Sequence, residues 1–353
     1  SRDKLLEMSL ELSTSRTNTY TEIILGLPGD SLDKHIGSVC DLADIGFNQI
    51  RMHQLGLYDG SEMEMTKDRE RYGIETKHRI LIRSFGNYQL YNESFNTVET
   101  EEICITNPSF TSDDFFYCRL FALTVNLFYN DQVFLELLGF LDHLGFKPSQ
   151  FLRFVHNSIT SENKYKENQV VKEYELFRKE AESEFFESKE AIFEEIEKDN
   201  VFVERLIKGE AGNNILFNTQ GRILYNYFPQ LNDLAFDLAN DFIVYNNKLL
   251  TNMEKEYFSE LKRYCEFTKG HLKQLNNIDK ENFKYDFVKL KELNFNGIPN
   301  QQRNIKIKFY YDKWQQELFD NLFDVFGTTD QGLGKLIARS PIKHTYRNCE
   351  VAN

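Results

Sequence analysis

A chain of 353 residues, 41% apolar and 27% charged, has the composition of a folded globular protein with length for two domains and a sizeable core. Its formal charge of -13 argues against nucleic acid or an anionic membrane as a partner, because phosphate repels an acidic surface. No apolar run approaches the ~18 residues that span a bilayer, and Ser1-Arg2-Asp3-Lys4 lacks the apolar heart of a signal peptide.

Lys4 to Leu12 reads as a short amphipathic helix, and Tyr20 to Leu25 as a strand. Gly26-Leu27-Pro28-Gly29 is a sharp turn. Asp30 or Ser31 then caps a helix with Leu32, Ile36, Val39 and Leu42 at helical spacing, ended by Gly46. Asn48 to Leu55 is the next strand, so the segment predicts a β-α-β unit with parallel strands. A polar loop follows to Lys77. His78 to Arg83 and Tyr88 to Tyr91 predict a hairpin about Gly86-Asn87, and Glu101 to Thr106 a third strand stopped by Asn107-Pro108.

From Ser112 the pattern turns helical: Phe115 to Tyr129, Gln132 to Leu144 and Gln150 to Ile159 are three successive helices. Ser161 to Lys208 reads as one long charged helical stretch with an apolar stripe through Val170, Tyr174, Phe177, Ala181 and Phe185. Beyond Gly212, helices alternate with Asn-rich turns. A strand at Ile305 to Tyr310 precedes a helix from Lys313 to Phe326 capped by Gly327.

Alternation along the first strand puts Tyr20, Glu22, Ile24 and Gly26 on one face; on the second, Gln49, Arg51, His53 and Leu55 share a face. A parallel strand covered on both sides is normally a continuous apolar run, so these polar faces must meet water, a ligand or each other. In a barrel they would line the interior near the strand C-terminal ends, with Glu22 and Arg51 meeting across the strands as an ion pair. The five cysteines, Cys40, Cys104, Cys118, Cys265 and Cys349, are scattered without any C-x-x-C spacing. Reduced, mostly buried thiols in a cytoplasmic protein are expected. Histidines 35, 53, 78, 143, 156, 271 and 344 form no short metal-binding spacing, so no metal ligand is assigned.

The segment Glu22-Ile23-Ile24-Leu25-Gly26-Leu27-Pro28-Gly29-Asp30-Ser31 resembles the fifth barrel strand of radical S-adenosylmethionine (SAM) enzymes, most closely the subset with an upstream cobalamin domain. The strand Gln49-Ile50-Arg51-Met52-His53-Gln54-Leu55 and its exit Leu57-Tyr58-Asp59-Gly60-Ser61-Glu62 add to the likeness. So do Tyr72 to Lys77, Ile82 to Tyr88, Val98 to Cys104 and Ser112 to Phe115, and the resemblance covers roughly residues 1 to 160. It implies that Glu22, Ile24, Gly26 and Gly29 occupy the slots of the family's glycine-isoleucine-glycine-glutamate pattern, with Glu22 and Gly29 departing from it. Ile24, Gly26 and Gly29 would then support SAM, and Glu22, Arg51 and His53 would be catalytic groups facing the cavity.

The family's C-x-x-x-C-x-x-C loop, which holds the [4Fe–4S] cluster that cleaves SAM to a 5′-deoxyadenosyl radical, is absent, as is its aspartate-x-histidine-x-x-glycine cobalamin motif. The resemblance thus implies the C-terminal half of such an enzyme, acting on an organic substrate together with a missing N-terminal half. A start at Ser1 rather than Met fits a fragment, a trimmed expression product or a truncated gene model alike. The fold class expected is α/β passing into mostly α. Residues 1–60 form the end of a (β/α) partial barrel, 61–111 a loop and β-hairpin region, and 112–353 a helical C-terminal domain. The competing reading is a non-catalytic helical interaction protein carrying a degenerate barrel remnant.

Overall fold

The computed structural model describes residues 19–161, 163–270, 272–295, 297–299 and 304–352, so the helix expected over Lys4 to Leu12 lies outside the described residues. Strand β1 (Tyr20–Leu25) leads through the glycine turn, where Gly26 and Gly29 adopt φ of +89° and +80°, into helix α1 (Leu32–Ile45). The Ser31 side chain accepts from the Lys34 amide at its start, and Gly46 closes its end in the left-handed conformation. Strand β2 (Gln49–Gln54) then pairs parallel to β1, with Glu22 beside Arg51. The β-α-β unit expected from the sequence is therefore present. Its sheet has two strands among the described residues and does not close into a barrel.

The two edges of this sheet differ. On the outer edge of β2, the Asn130 side chain accepts from the Ile50 amide and donates to the Ile50 carbonyl, both at 2.9 Å. The Asp131 amide adds a bond to the Asn48 carbonyl. Asn130 thus satisfies one residue's ladder groups and ends the sheet on that side. Asn130→Ala is expected to strip both groups of Ile50 of their partners, at about 1–3 kcal/mol for each buried group. Urea unfolding measures this; a midpoint unchanged from the parent would contradict it.

Strand β3 (Gly56–Leu57), helix α2 (Thr66–Tyr72) and strands β4 (Glu75–Leu90) and β5 (Glu93–Thr106) follow, making an antiparallel sheet ordered β3-β5-β4. The hairpin turn sits at Tyr91-Asn92, with Tyr91 at φ 56°, and not at Gly86-Asn87. Gly86 instead lies inside the ladder opposite Thr97, where the Tyr88 ring occupies the space a side chain would need. Asn87 bonds across to Asn96, and Tyr88 stacks on Phe95 with ring centroids 5.9 Å apart, so cross-strand pairs carry the ladder past the expected turn.

Helix α3 (Ser112–Phe128) starts with a capping box between Thr111 and Asp114 and runs through the centre of the molecule, buried on nearly all sides. Helix α4 (Leu135–His143) follows, and α1, α5 (Pro148–Ser161) and α6 (Gln169–Ser183) pack around α3. The stretch expected as one helix from Ser161 to Lys208 is three: α6, α7 (Lys189–Lys198) and α8 (Asn200–Lys208), the last two opened by Ser188 and Asp199 as N-caps. Helices α9 (Ile215–Asn226), α10 (Phe228–Tyr245) and α11 (Asn252–Lys269) complete the bundle.

The C-terminal part is not purely helical. Strands β6 (Asp279–Phe283), β7 (Ile305–Tyr310) and β8 (Asn348–Val351) form an antiparallel sheet, accompanied by α12 (Phe287–Glu292), α13 (Lys313–Phe326) and α14 (Asp330–Arg339). Strand β6 is mostly charged, with Phe283 as its one fully buried side chain, and so carries little strand signal. One apolar core runs from Leu25, Ile36 and Ile50 through the helices to Phe283 and Phe309. The result is a mixed α/β fold dominated by helices, with small open sheets.

Candidate functional site

A cavity of about 570 Å³ opens at the C-terminal ends of β1 and β2. Its walls come from the two strands, from β4 and β5, from α3 and α6, and from the start of α9. Glu22, Ile24 and His53 line it; Arg51, Gly26 and Gly29 are not among its wall residues.

The ion pair expected between Glu22 and Arg51 does not form, and Glu22 stands beside His53 instead. Glu22 Oε1 lies 3.6 Å from His53 Nε2, with the two side chains 52% and 55% exposed. Arg51 Nε donates to Gln49 Oε1 at 3.1 Å, and its guanidinium sits 5.3 Å from the Tyr20 ring centre. Although Glu22 and Arg51 are partners in the register, Arg51 reaches back along its strand to Gln49 and the Tyr20 ring, while Glu22 pairs with His53, two residues further on. In a solvated position, stacking on Tyr20 competes well with an exposed ion pair, which is worth little.

Of the proposed SAM-supporting residues, Ile24 is 42% exposed and stands on the cavity wall. Gly29 has open space where a side chain would be. Gly26 is packed against β5, its carbonyl accepting weakly from the Cys104 thiol and the Asn107 amide. Of the three, only Ile24 stands on the cavity wall, and Gly26 serves the contact between the turn and β5. The iron–sulfur cluster does not fit this chain. Among the described residues no group of three or more His, Cys, Asp or Glu could hold a metal, and the five thiols are free, four of them buried. Burial raises the Cys104 thiol to about 11 and pushes the Cys118 thiol on the cavity wall up further, so neither is a thiolate at neutral pH.

Opposite the strands, the cavity wall carries a charge network the sequence did not reveal. Arg79 Nε donates to Glu101 at 2.7 Å, and its Nη1 to Glu184 at 2.8 Å. Arg119 donates to the same Glu184. The Phe185 ring lies beneath both guanidiniums, at 5.6 and 5.8 Å. Burial works against the charge on Arg79, but Glu184 and Glu101 together raise its pKa above the ordinary value. Burial wins at Arg119, which is pulled below it despite Glu184. Two cations and two anions balance. A second cavity of about 560 Å³ adjoins the first across Arg79 and Glu184 and extends to Phe202 and Arg222. A signal for Arg119 was present, since it is the one charge within the apolar run from Phe115 to Phe128. Nothing local marked its partners.

No protein-family model and no curated protein matches this chain. Among the described residues no helix is long and apolar enough to cross a membrane.

Proposed function

We propose that this chain is the C-terminal portion of a cobalamin-type radical SAM enzyme that acts on an organic substrate held in the cavity at the ends of β1 and β2. The observation that carries this reading is the asymmetry of the parallel sheet. Asn130 closes the β2 edge, whereas the β1 edge pairs with no strand among the described residues, and the face bearing Glu22 and His53 lines a cavity at the strand ends. An edge that pairs with no strand among the described residues, beside a polar, cavity-lining face, supports reading β1 and β2 as a last pair of barrel strands. The cluster and the cobalamin would belong to that N-terminal half. Bound SAM would supply the hydrogen-abstracting chemistry, with Ile24 on the cavity wall against its nucleoside. Glu22 and His53 then orient the substrate and hold or move a substrate proton at the Glu22 carboxylate or the His53 imidazole, which stand 3.6 Å apart on the cavity wall.

The same geometry separates these residues from Arg51. In the full-length enzyme, Glu22→Gln and His53→Phe are each expected to lower substrate turnover by about a hundredfold or more, the range of a lost acid–base group. Arg51→Met should stay near the parent, because Arg51 is engaged with Gln49 and Tyr20 away from the cavity. Turnover assays on the three variants, with iron content as a control for assembly, check this. Loss in Arg51→Met with Glu22→Gln unaffected would reverse the assignment.

A further inference from the structure

Beyond Phe85 and Val98 the β4–β5 hairpin leaves the body of the protein. Those two side chains face each other across the ladder and pack against Ile80, Ile192 and Leu206, which holds the hairpin to α7 and α8. From Asn87 to Thr97 every residue is exposed. Alternation sorts this arm into two unlike faces. On the side of Phe85 and Val98 stand Asn87, Gln89, Ser94 and Asn96, where the Asn87 amide donates to both Asn96 and Ser94. On the other side stand Tyr88, Leu90 and Phe95, with Glu93 opposite Leu90 and Thr97 opposite Gly86. The Tyr88 ring leans over Gly86 and stacks on Phe95, so an apolar strip runs from Gly86 to Leu90.

A two-stranded hairpin is marginal in water without a third strand or a surface beneath it, and this apolar face points away from the helices that hold the base of the arm. Tyr88, Leu90 and Phe95 are 55%, 58% and 44% exposed, and Tyr91 at the tip 96%. At roughly 200 Å² per side chain this amounts to about 500 Å², near the upper end for an exposed patch on a lone chain. Doubled by a two-fold axis it reaches about 1,000 Å², the threshold for a specific interface. Charge argues for the same occupant. The chain carries -13 overall, so its acidic surface at large repels a second copy, whereas between Arg83 and Glu99 the arm bears one charge, Glu93. Such an arm holds little to attract a partner of opposite charge, and an identical face matches it in size and neutrality.

We propose that this arm is a dimerisation surface, on which the Tyr88, Leu90 and Phe95 faces of two copies of the chain pack against each other about a two-fold axis. None of these residues lines either cavity, so the proposal does not depend on the enzymatic reading.

Sedimentation equilibrium of the chain, with no cofactor added, tests it. A monomer–dimer equilibrium is expected, with a Kd on the order of 10 µM for an interface this small. Leu90→Lys brings like charges into the packed centre and should weaken association about a hundredfold. Gln89→Lys puts the same charge on the opposite face of the same strand and should leave the Kd unchanged. Should Leu90→Lys disorder the arm, amide exchange over residues 86–97 of the unaltered protein decides, and it should slow as the concentration rises through the Kd. A chain that stays monomeric at about ten times that concentration would overturn the proposal. So would association that Leu90→Lys leaves intact, that Gln89→Lys weakens equally, or that leaves exchange in the arm unaltered.

Discussion

Glu184→Leu is expected to destabilise the protein by about 3–5 kcal/mol, the cost of removing one partner from a buried ion pair. Glu184 is the shared acceptor of Arg79 and Arg119. Arg79 keeps Glu101 when Glu184 is removed, but Arg119 has no other carboxylate among its described partners, only the Ala181 carbonyl and the surrounding Phe115, Phe177 and Phe185 rings. A guanidinium left in that cage is the source of the loss. The double variant Arg119→Met/Glu184→Leu removes both charges and should recover most of the stability, since well-packed apolar replacements of a buried pair are often neutral. Urea midpoints at constant slope report both numbers. If the single variant costs under about 1 kcal/mol, the network is more solvated than its geometry indicates.

Lys269→Met is expected to cost a similar amount, about 3–5 kcal/mol. Lys269 Nζ donates to Glu136 Oε2 at 2.5 Å and to the Val133 carbonyl at 2.6 Å, and it lies over the Tyr346 ring, with both charged side chains almost wholly buried. This pair ties α11 to the start of α4, and neither residue lines the cavity. Its loss should therefore lower stability while leaving ligand binding in the surviving folded protein unchanged. Adding Glu136→Leu to Lys269→Met removes the orphaned carboxylate and should restore a large part of the midpoint. If the double variant is as unstable as the single one, the loss comes from packing around the lysine stem and not from an uncompensated charge.

The sequence announced the parts of this fold that rest on local chemistry. Strand β1, the glycine turn, the Ser31 cap and Gly46 are each dictated by neighbours within a few residues, and all appear as expected. Strand β7 and helix α13 with its Asp312 cap are legible for the same reason. What was hidden depends on distant partners. The long helix expected from Ser161 divides where Phe186 leaves α6 and bonds as a bridge to His78. The hairpin continues past Gly86 because Asn96 and Phe95 meet Asn87 and Tyr88 across the ladder.

The cavity follows the same division. Alternation placed Glu22 and His53 on a polar face, yet which groups touch was decided by how far each side chain reaches along its strand. Arg79 and Arg119 meet carboxylates 22, 105 and 65 positions away, distances at which residue spacing carries no information.

If this chain completes an enzyme as proposed, the cluster is held by another part of the same protein. Anaerobic reconstitution with iron and sulfide, done in parallel on this chain and on the protein extended through its upstream coding sequence, tests it most directly, with iron content and SAM cleavage as readouts. No stoichiometric cluster is expected on the chain alone, whose five thiols are scattered and free. For the extended protein an in-frame C-x-x-x-C-x-x-C, a [4Fe–4S] cluster and release of 5′-deoxyadenosine are expected. An extended protein with no such loop and no SAM cleavage, or a four-iron cluster assembling on the isolated chain, would contradict it.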